Sequence, residues 1–504
     1  MKGALGSKAL REATLTGVRW LVMMRAASEV INFLAAVVLA RLLSPADFGR
    51  AAVSLIFVML GVMLTFEGFA SALVQRPEVR DEDRRAAMLM SIVAGSLLTV
   101  AVYALAGPVW RPLFGTQAAD LIQLISPAML IAALGGVSRA TIWRKLDFRR
   151  VSVIDMLSTL AGSIASVALA VAGFGAKSIA AGGLVQIGAT TALLIACAPP
   201  PLPGWSRSSQ RGITAFGIPA ALAALVDTLF RNIDYAIIEA RLPATQAGFY
   251  YRAFNIGVVY QQKLSQIMVQ IAFPVYSRAG SLEAVRSLHE RAARVLAAVI
   301  FPLLALLSAL APLIVPLVFG PIWKPAVVPT QILCVAGAVQ AILTGYPQLM
   351  LAIGRPRSLL LFNVGALITY ATSITLASSY GLVAVSITAS AVYLALVAAV
   401  YRFLLQRHLG ISIWCIVPEL GPALVGCLAM VSVVVPLSHL LESFCPAALT
   451  VAVSGATGLV VYALVLRSWF RPAWNDVSTL VVRVLPPLGR VGRSRTATKP
   501  VPAP

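Results

Sequence analysis

The sequence predicts an all-α integral membrane protein with about 14 transmembrane helices, arranged as two six-helix lobes in pseudo-repeat plus two C-terminal helices. Of its 504 residues, 59% are hydrophobic and only 12% are charged, and its mean hydropathy is +0.88. A soluble domain is typically about a quarter charged. Because so few polar residues cannot cover a soluble core, the composition excludes a soluble enzyme, a disordered scaffold and a secreted disulfide framework.

The number of predicted helices is taken from the long apolar runs of the sequence. A helix needs about twenty apolar residues to cross the hydrocarbon of a bilayer, and the runs lack the alternation of membrane β-strands. Helices are predicted near residues 18–40, 51–75, 87–107, 118–138, 152–173, 178–198, 213–239, 247–274, 295–318, 327–353, 358–378, 381–401, 414–437 and 446–466.

The charge distribution predicts the topology. The chain has 40 Lys and Arg against 19 Asp and Glu, a net charge of +21 that in a soluble protein would suggest nucleic-acid binding. Most of the basic residues fall in alternate loops on the side of the N-terminus, with clusters at 76–85, 139–150 and 278–294. Cationic loops stay in the cytoplasm. We therefore expect both termini to be cytoplasmic and no nucleic acid among the partners.

The predicted organisation has four parts. They are an N-terminal lobe at 1–198 (helices 1–6), a C-terminal lobe at 199–410 (helices 7–12), two further helices at 411–466, and a basic, flexible cytoplasmic tail at 467–504. The five cysteines show no metal-binding spacing, and the three histidines are isolated. No Walker or dinucleotide glycine motif occurs in the sequence. We therefore predict no catalytic residue, no metal site and no cofactor.

An internal repeat supports the two lobes. The first helix ends in A-R-L at 40–42, followed by a turn with Pro45 and a helix that contains Gly49. The seventh helix ends in A-R-L at 240–242, followed by Pro243 and a helix that contains Gly248. The two stretches lie six helices apart, at matching places. Repeated halves of this kind are typical of transporters.

Several motifs resemble a known family. The stretch LARLLSPADFG, an apolar helix and SALVQR are followed in the second half by DTLFRNIDYAIIEARLPATQAGFYYRA, FPVYSR and PLVFGPIWKPAV. Over residues 15–410 the chain resembles the polysaccharide exporters (Wzx-type oligosaccharide flippases) of the multidrug/oligosaccharidyl-lipid/polysaccharide exporter superfamily. The resemblance implies a two-lobed bundle in the bacterial inner (plasma) membrane. It also implies that polyprenyl-pyrophosphate-linked oligosaccharide is carried to the outer leaflet.

Charged side chains inside membrane helices predict the binding site, because each costs at least ~2.5–3.5 kcal/mol at the helix centre. Helices one, seven and eight each carry a polar stripe that cannot comfortably face lipid. We expect the stripes to line one shared cavity between the lobes. The predicted substrate-binding residues are Arg25, Glu29, Asn32, Asp227, Arg231, Asp234, Tyr251, Arg252, Asn255 and Lys263.

Both signs of charge in this cavity suit a lipid-linked oligosaccharide. The four cations are expected to neutralise the pyrophosphate. Tyr250, Tyr251 and Asn255 are expected to contact sugar, and the three acids to pair with the cations or exchange protons. In an alternative interpretation, Arg25–Glu29 and Asp227–Arg231 neutralise each other one helical turn apart, merely to make the helices insertable.

Other functions compatible with the sequence are a drug or small-molecule exporter of the same superfamily, a membrane-embedded glycosyltransferase or polymerase, and a scaffold of the polysaccharide machinery. Four cations in the cavity argue against organic cations as cargo. The short predicted loops argue against an enzyme. The expected partners are the lipid-linked oligosaccharide, membrane lipids, and other assembly proteins such as a polymerase and a chain-length regulator.

Overall fold

The computed structural model describes residues 4–65, 69–76, 78–263, 265 and 282–484. Within these ranges all regular secondary structure is helical, and no strand occurs. The predicted all-α class is confirmed for this part of the chain.

The first part of the chain forms helices that begin at local signals. Pro45 and Pro127 occupy the first turns of two of them, where a missing N–H costs nothing. Asp147 caps a third by accepting a hydrogen bond from the N–H of Arg150. The helices are α1 (Ala4–Leu42), α2 (Pro45–Thr65), α3 (Ser71–Gln75), α4 (Asp81–Ala104), a π-helix (Ala106–Trp110), α5 (Arg111–Ile125), α6 (Pro127–Arg144), α7 (Phe148–Val171) and α8 (Ala176–Cys197).

The second part begins with a long helix and contains most of the irregular turns. Gly410 ends one short helix in the left-handed conformation, with φ of 67°. The elements are α9 (Arg207–Arg241), α10 (Ala244–Phe254), a π-helix (Asn255–Val259) that continues as α-helix through Lys263, α11 (Leu282–Phe319), a 3₁₀-helix (Pro321–Ala326), α12 (Val327–Leu343), α13 (Tyr346–Ala352), α14 (Pro356–Ala377), a 3₁₀-helix (Ser378–Tyr380), α15 (Leu382–Ala399), a π-helix (Val400–Leu405), α16 (Gln406–Leu409), a 3₁₀-helix (Ile413–Cys415), α17 (Val417–Glu442), α18 (Ala447–Trp469) and α19 (Arg471–Val484).

Eleven segments of the described residues are long and apolar enough to cross a membrane, so the chain is a multi-pass membrane protein. The predicted spans near 51–75, 213–239 and 247–274 are not among the eleven. Helix α9 carries several ionisable residues, and the other two runs extend into residues outside the described ranges. The count of 14 therefore stays a prediction.

Helix packing joins the two parts of the chain along α2. In the first part α7 packs against both α1 and α8, and in the second part α17 packs against both α11 and α18. Between the two parts, α2 packs against α9 and α10. The junction therefore places α2 and α10, the two helices that follow the A-R-L repeats, side by side.

The C-terminal segment differs from the predicted flexible tail. Residues 471–484 form α19, whose Ala473 and Trp474 join an apolar cluster with α11, α17 and α18. Asp476 pairs with Arg291 at 2.7 Å and with Arg294 at 3.1 Å. An apolar face and a carboxylate shared by two arginines thus dock the helix. The basic composition of the whole tail does not predict this helix, because the contacts involve only a few of its residues. Residues 485–504 lie outside the described part of the chain.

Replacing Asp476 by alanine is expected to loosen α19, because both arginines lose their shared carboxylate. The pairs are partly exposed, so we expect a cost of about 1 kcal/mol and a roughly fivefold rise in the open population. Limited trypsin digestion would measure this as faster cleavage after Arg483. Asp81→Ala, at an exposed acid near Arg84, is the control. Equal cleavage of both variants would contradict the docking role of Asp476.

Candidate functional site

The two repeated glycines meet at the junction of α2 and α10, a contact that we call the glycine seam. A Cβ atom added to Gly49 would lie 2.2 Å from the carbonyl oxygen of Ala244, and one added to Gly248 would lie 1.8 Å from the carbonyl oxygen of Pro45. Each glycine therefore faces the start of the other repeat's helix. Reciprocal contacts of this kind are those of a two-fold axis, so the two helices that follow the A-R-L repeats make equivalent contacts with each other.

An apolar cluster lies beside the seam, and we call it the seal. It joins Leu39, Leu43 and Phe48 of the first part to residues of the second part, including Phe319 and Trp323. The Trp323 indole N–H donates to the carbonyl of Ala40 at 2.9 Å. Arg41 donates to the carbonyl of Leu317 at 2.7 Å. The seal thus closes the space between the two parts of the chain at this end.

Arg252 is buried inside the seal. Its side chain is 3% exposed, and its guanidinium carbon lies 4.5 Å from the ring centre of Phe48, 4.6 Å from that of Phe319 and 5.1 Å from that of Trp323. Nη2 donates weakly to the carbonyl of Ala36 at 3.4 Å. Among the described residues Nε has no hydrogen-bond partner and no carboxylate pairs with the group.

A cavity of about 260 Å³, which we call cavity 1, adjoins the seal. Five of the ten predicted site residues line it: Asn32, Tyr251, Arg252, Asn255 and Lys263. Its opposite wall is formed by Gly162, Ser166, Gly182 and Gln186 of α7 and α8. The structure therefore brings these five residues together on one cavity between the two parts of the chain. That they bind substrate stays a prediction.

The acid of α1 pairs across the junction. Glu29 accepts a hydrogen bond from the Lys263 ammonium at 2.5 Å, with both side chains about one-third exposed. Arg25 is exposed, and within the described residues no ion pair joins it to Glu29. The alternative of a self-neutralising Arg25–Glu29 pair is therefore wrong, because Glu29 turns toward the neighbouring helix. Arg25 is also absent from the lining of cavity 1.

Asp227 and Arg231 form the pair that the alternative interpretation describes, with Nε and Oδ2 2.8 Å apart. They line a different cavity of about 490 Å³ within the second part of the chain, which we call cavity 2. Gln262, next to Lys263 in the chain, also lines cavity 2. The prediction of one shared cavity is wrong for this structure, because neighbouring residues on the 255–263 helix point into two separate spaces.

Asp234 lies in the core, outside both cavities. Its carboxylate accepts hydrogen bonds from the hydroxyls of Tyr250 at 2.9 Å and Tyr370 at 3.0 Å, and from the N–H of Tyr235 at 3.0 Å. The side chain is fully buried. The helical stripe that groups Asp234 with Arg231 does not reveal these tyrosines, since two of them belong to other helices. The expected cavity-facing positions of Asp234 and Tyr250 are therefore wrong in this structure, since both side chains are buried and neither lines cavity 1 or cavity 2.

Sequence reasoning missed the aromatic residues around Arg252. Phe48 belongs to the LARLLSPADFG motif, and Phe319 and Trp323 belong to PLVFGPIWKPAV. The only signal for these aromatic residues in the sequence is that each motif lies at the end of a predicted helix, one motif in each half of the chain. A search for aromatic residues in these motifs that could surround Arg252, an arginine without an acidic residue one turn away, would have identified these three residues.

The fold and the site define a multi-pass membrane protein whose two parts enclose a basic cavity below an apolar seal. The family described as "Polysaccharide biosynthesis protein" matches residues 38–328, which is more than half of the chain, and the protein belongs to this family. The chain is 27% identical over 360 residues to the lipopolysaccharide biosynthesis protein WzxC of Escherichia coli K12, covering 70% of this chain and 73% of that one. It is 24% identical over 267 residues to the succinoglycan biosynthesis transport protein ExoT of Rhizobium meliloti 1021, covering 52% and 53%.

Solved structures identify the fold. The lipid II flippase MurJ in an inward closed conformation superposes with a TM-score of 0.71 at 13% identity, over 90% of this chain and 99% of that chain. An inward-facing multidrug resistance MATE transporter of the MOP superfamily gives 0.58 at 16% identity, over 75% and 94%. The solved structures confirm the fold, and the family and its relatives confirm the predicted class, a transporter of polysaccharide biosynthesis rather than an enzyme.

Proposed function

We propose that the protein carries polyprenyl-pyrophosphate-linked oligosaccharide across the bacterial inner membrane by alternating access, for O-antigen, capsule or exopolysaccharide biosynthesis. The single observation that carries the cargo assignment is that two cations, Arg252 and Lys263, both line cavity 1. A pyrophosphate needs cations, and arginine offers a planar fork for two of its oxygens. Lys263 adds a second charge eleven residues further along the same helical segment.

Arg252 suits this role because it is a cation without a carboxylate partner among the described residues. Burial of an unpaired charge is costly, and three aromatic faces only partly offset that cost. A pyrophosphate oxygen that reaches cavity 1 would meet the guanidinium of Arg252, whose Nε has no hydrogen-bond partner among the described residues. Lys263 is instead paired with Glu29, so cargo competes with that carboxylate for the ammonium.

In this proposal the chain has 14 membrane helices, in two six-helix lobes plus two further helices. Helix α2, helix α9 and the predicted span at 247–274 supply the second, seventh and eighth of them. Both termini are cytoplasmic. The glycine seam then lies at the outer face, so the structure has its outer end sealed. Rocking of the lobes opens the seal and releases cargo toward the outer leaflet. A polymerase and a chain-length regulator are partners that would receive the flipped cargo.

Complementation tests the cargo and Lys263 together. In bacterial hosts that lack their own surface-polysaccharide flippase, the wild-type chain is expected to restore surface polysaccharide, measured by immunoblotting at matched membrane abundance. Lys263→Ala is expected to lower the restored amount at least about tenfold, since a charge-assisted contact contributes ~1.5–3 kcal/mol. Arg111→Ala, at an exposed arginine that pairs with Asp120 at 3.5 Å, is the control.

The outcomes separate the competing functions. A scaffold would restore no polysaccharide in a host that lacks its own flippase. A drug exporter would restore no polysaccharide in any host and would lower the accumulation of a cationic dye in intact cells. A glycosyltransferase or polymerase would change the length or composition of the lipid-linked sugar in extracts. Any of these results would contradict the flippase proposal. Full restoration by Lys263→Ala would keep the transport function and would contradict only the role of Lys263 in cargo binding.

A further inference from the structure

Cavity 2 is larger than cavity 1, and the pyrophosphate proposal gives it no role. It measures about 490 Å³ and is lined by residues of α9, α12, α13, α14, α15 and the helical segment that ends at Lys263. Its walls belong to the second part of the chain only. Its size lies in the range of pockets that bury a small organic ligand.

The cavity presents amide groups from several helices. Gln262 donates from Nε2 to Oε1 of Gln340 at 2.8 Å, and the Tyr346 hydroxyl donates to Oδ1 of Asn363 at 2.8 Å. Oε1 of Gln348 is buried and has no hydrogen-bond partner in the described part of the chain. Amides offer both donors and acceptors, and a buried acceptor without a partner costs free energy unless a ligand satisfies it.

Aromatic surfaces lie next to these amides. Phe230, Tyr346, Phe362 and Tyr393 all line the cavity. The rings of Tyr346 and Phe362 meet edge to face, with centres 6.2 Å apart. This arrangement supplies apolar faces for C–H groups beside donors and acceptors for hydroxyl groups, which is the combination that a sugar ring presents.

The charges in cavity 2 cancel. Asp227 and Arg231 are the charged side chains among the described lining, and they pair with each other. In cavity 1 Lys263 pairs with Glu29, but Arg252 has no carboxylate partner among the described residues, so a positive charge remains there. A pyrophosphate therefore favours cavity 1, whereas a neutral polyhydroxylated group favours cavity 2.

One helical segment separates the two cavities. Gln262 faces cavity 2 and Lys263 faces cavity 1, because consecutive residues of a helix point about 100° apart. We propose that cavity 2 binds the sugar repeat of the cargo and selects it, while cavity 1 holds the pyrophosphate. This inference rests on the proposed function and names the part of the cargo that the second cavity recognises.

Binding of defined lipids by the purified full-length protein tests the inference. The probes are undecaprenyl pyrophosphate and a panel of undecaprenyl pyrophosphates that carry one to four neutral sugars, titrated in detergent micelles. The wild type is expected to bind at least one sugar-bearing lipid about tenfold or more tightly than the sugar-free lipid, because polar sites discriminate strongly by hydrogen bonding. The double variant Gln262→Leu/Gln340→Leu is expected to reduce this ratio to about twofold or less, with unchanged affinity for the sugar-free lipid.

The double variant removes both partners of one hydrogen bond, so neither amide is left buried alone. Gln331→Leu is the matched control, because Gln331 lies on the same helix as Gln340 and bonds to the carbonyl of Ser308 instead. Unchanged sugar-free binding shows that a variant is folded. If the double variant misfolds, Asn363→Leu provides the same comparison.

The results distinguish this inference from the proposed function. A wild type that binds all lipids of the panel equally well overturns the sugar-binding role of cavity 2 and leaves the pyrophosphate site standing. Cavity variants that keep the wild-type ratio also overturn it. A wild type that binds neither kind of lipid contradicts the proposed function itself.

Discussion

Replacing Gly248 by alanine is expected to slow transport about 100-fold. The new Cβ would lie 1.8 Å from the backbone oxygen of Pro45, which no side-chain rotation can relieve. Overpacking of this kind costs about 3 kcal/mol, and 1.4 kcal/mol corresponds to a tenfold change in an equilibrium. The seal would then close only in a small fraction of molecules. The rate of lipid-linked sugar movement in proteoliposomes measures the effect.

Two further measurements assign the cause. A cysteine introduced at Leu43, which is buried in the seal, should react faster with a maleimide in the Gly248→Ala background, once the five native cysteines are replaced. Gly188→Ala is the control, since a Cβ there meets nothing within 4 Å and alanine favours a helix by about 1 kcal/mol over glycine. Slow labelling of Leu43→Cys together with normal transport would show that the seam tolerates a methyl group.

Replacing Arg252 by alanine is expected to lower the affinity for undecaprenyl pyrophosphate and the transport rate by about 100-fold or more. Two charge-assisted hydrogen bonds to phosphate contribute ~1.5–3 kcal/mol each. Arg252→Lys should retain an intermediate affinity, because lysine binds phosphate as a point charge but lacks the planar fork. Titration of each purified protein with undecaprenyl pyrophosphate measures its affinity, which is expected to fall from the wild type to Arg252→Lys to Arg252→Ala.

The binding measurement separates a cargo contact from a structural role. Loss of the buried cation removes a desolvation cost, so Arg252→Ala is expected to keep its thermal stability. Arg111→Ala should match the wild type in both assays. Full affinity for undecaprenyl pyrophosphate in Arg252→Ala would place the phosphate site elsewhere in the chain.

The fold class was predictable because a bilayer constrains the sequence along its whole length. Apolar runs of about twenty residues and basic loops suffice for that inference. Helix α19 was missed because it lies outside such runs and depends on Asp476, which pairs with Arg291 and Arg294 of a distant helix. The A-R-L repeat identified the two helices of the glycine seam, but the sequence does not reveal that their glycines touch.

The site was predictable only at the level of single helices. Helical periodicity predicts one polar stripe with Arg252, Asn255 and Lys263, beside Tyr251, and all four line cavity 1. The same stripe includes Gln262, which lines cavity 2 instead. It placed Asp234 wrongly, because its hydrogen-bond partners Tyr250 and Tyr370 become visible only after the helices pack. The division into two cavities also depends on tertiary packing, and no local pattern encodes it.

The position of Arg252 has a consequence for the energetics of the transport cycle. A seal made only of apolar contacts would become more stable with every ring that it buries, and a transporter with one deeply favoured state would stop cycling. A guanidinium among Phe48, Phe319 and Trp323 works against this trend. When the seal opens, water hydrates the cation and so returns part of the free energy lost with the aromatic contacts. The charge therefore keeps the open and closed states close in free energy, so that the binding and release of cargo can decide between them.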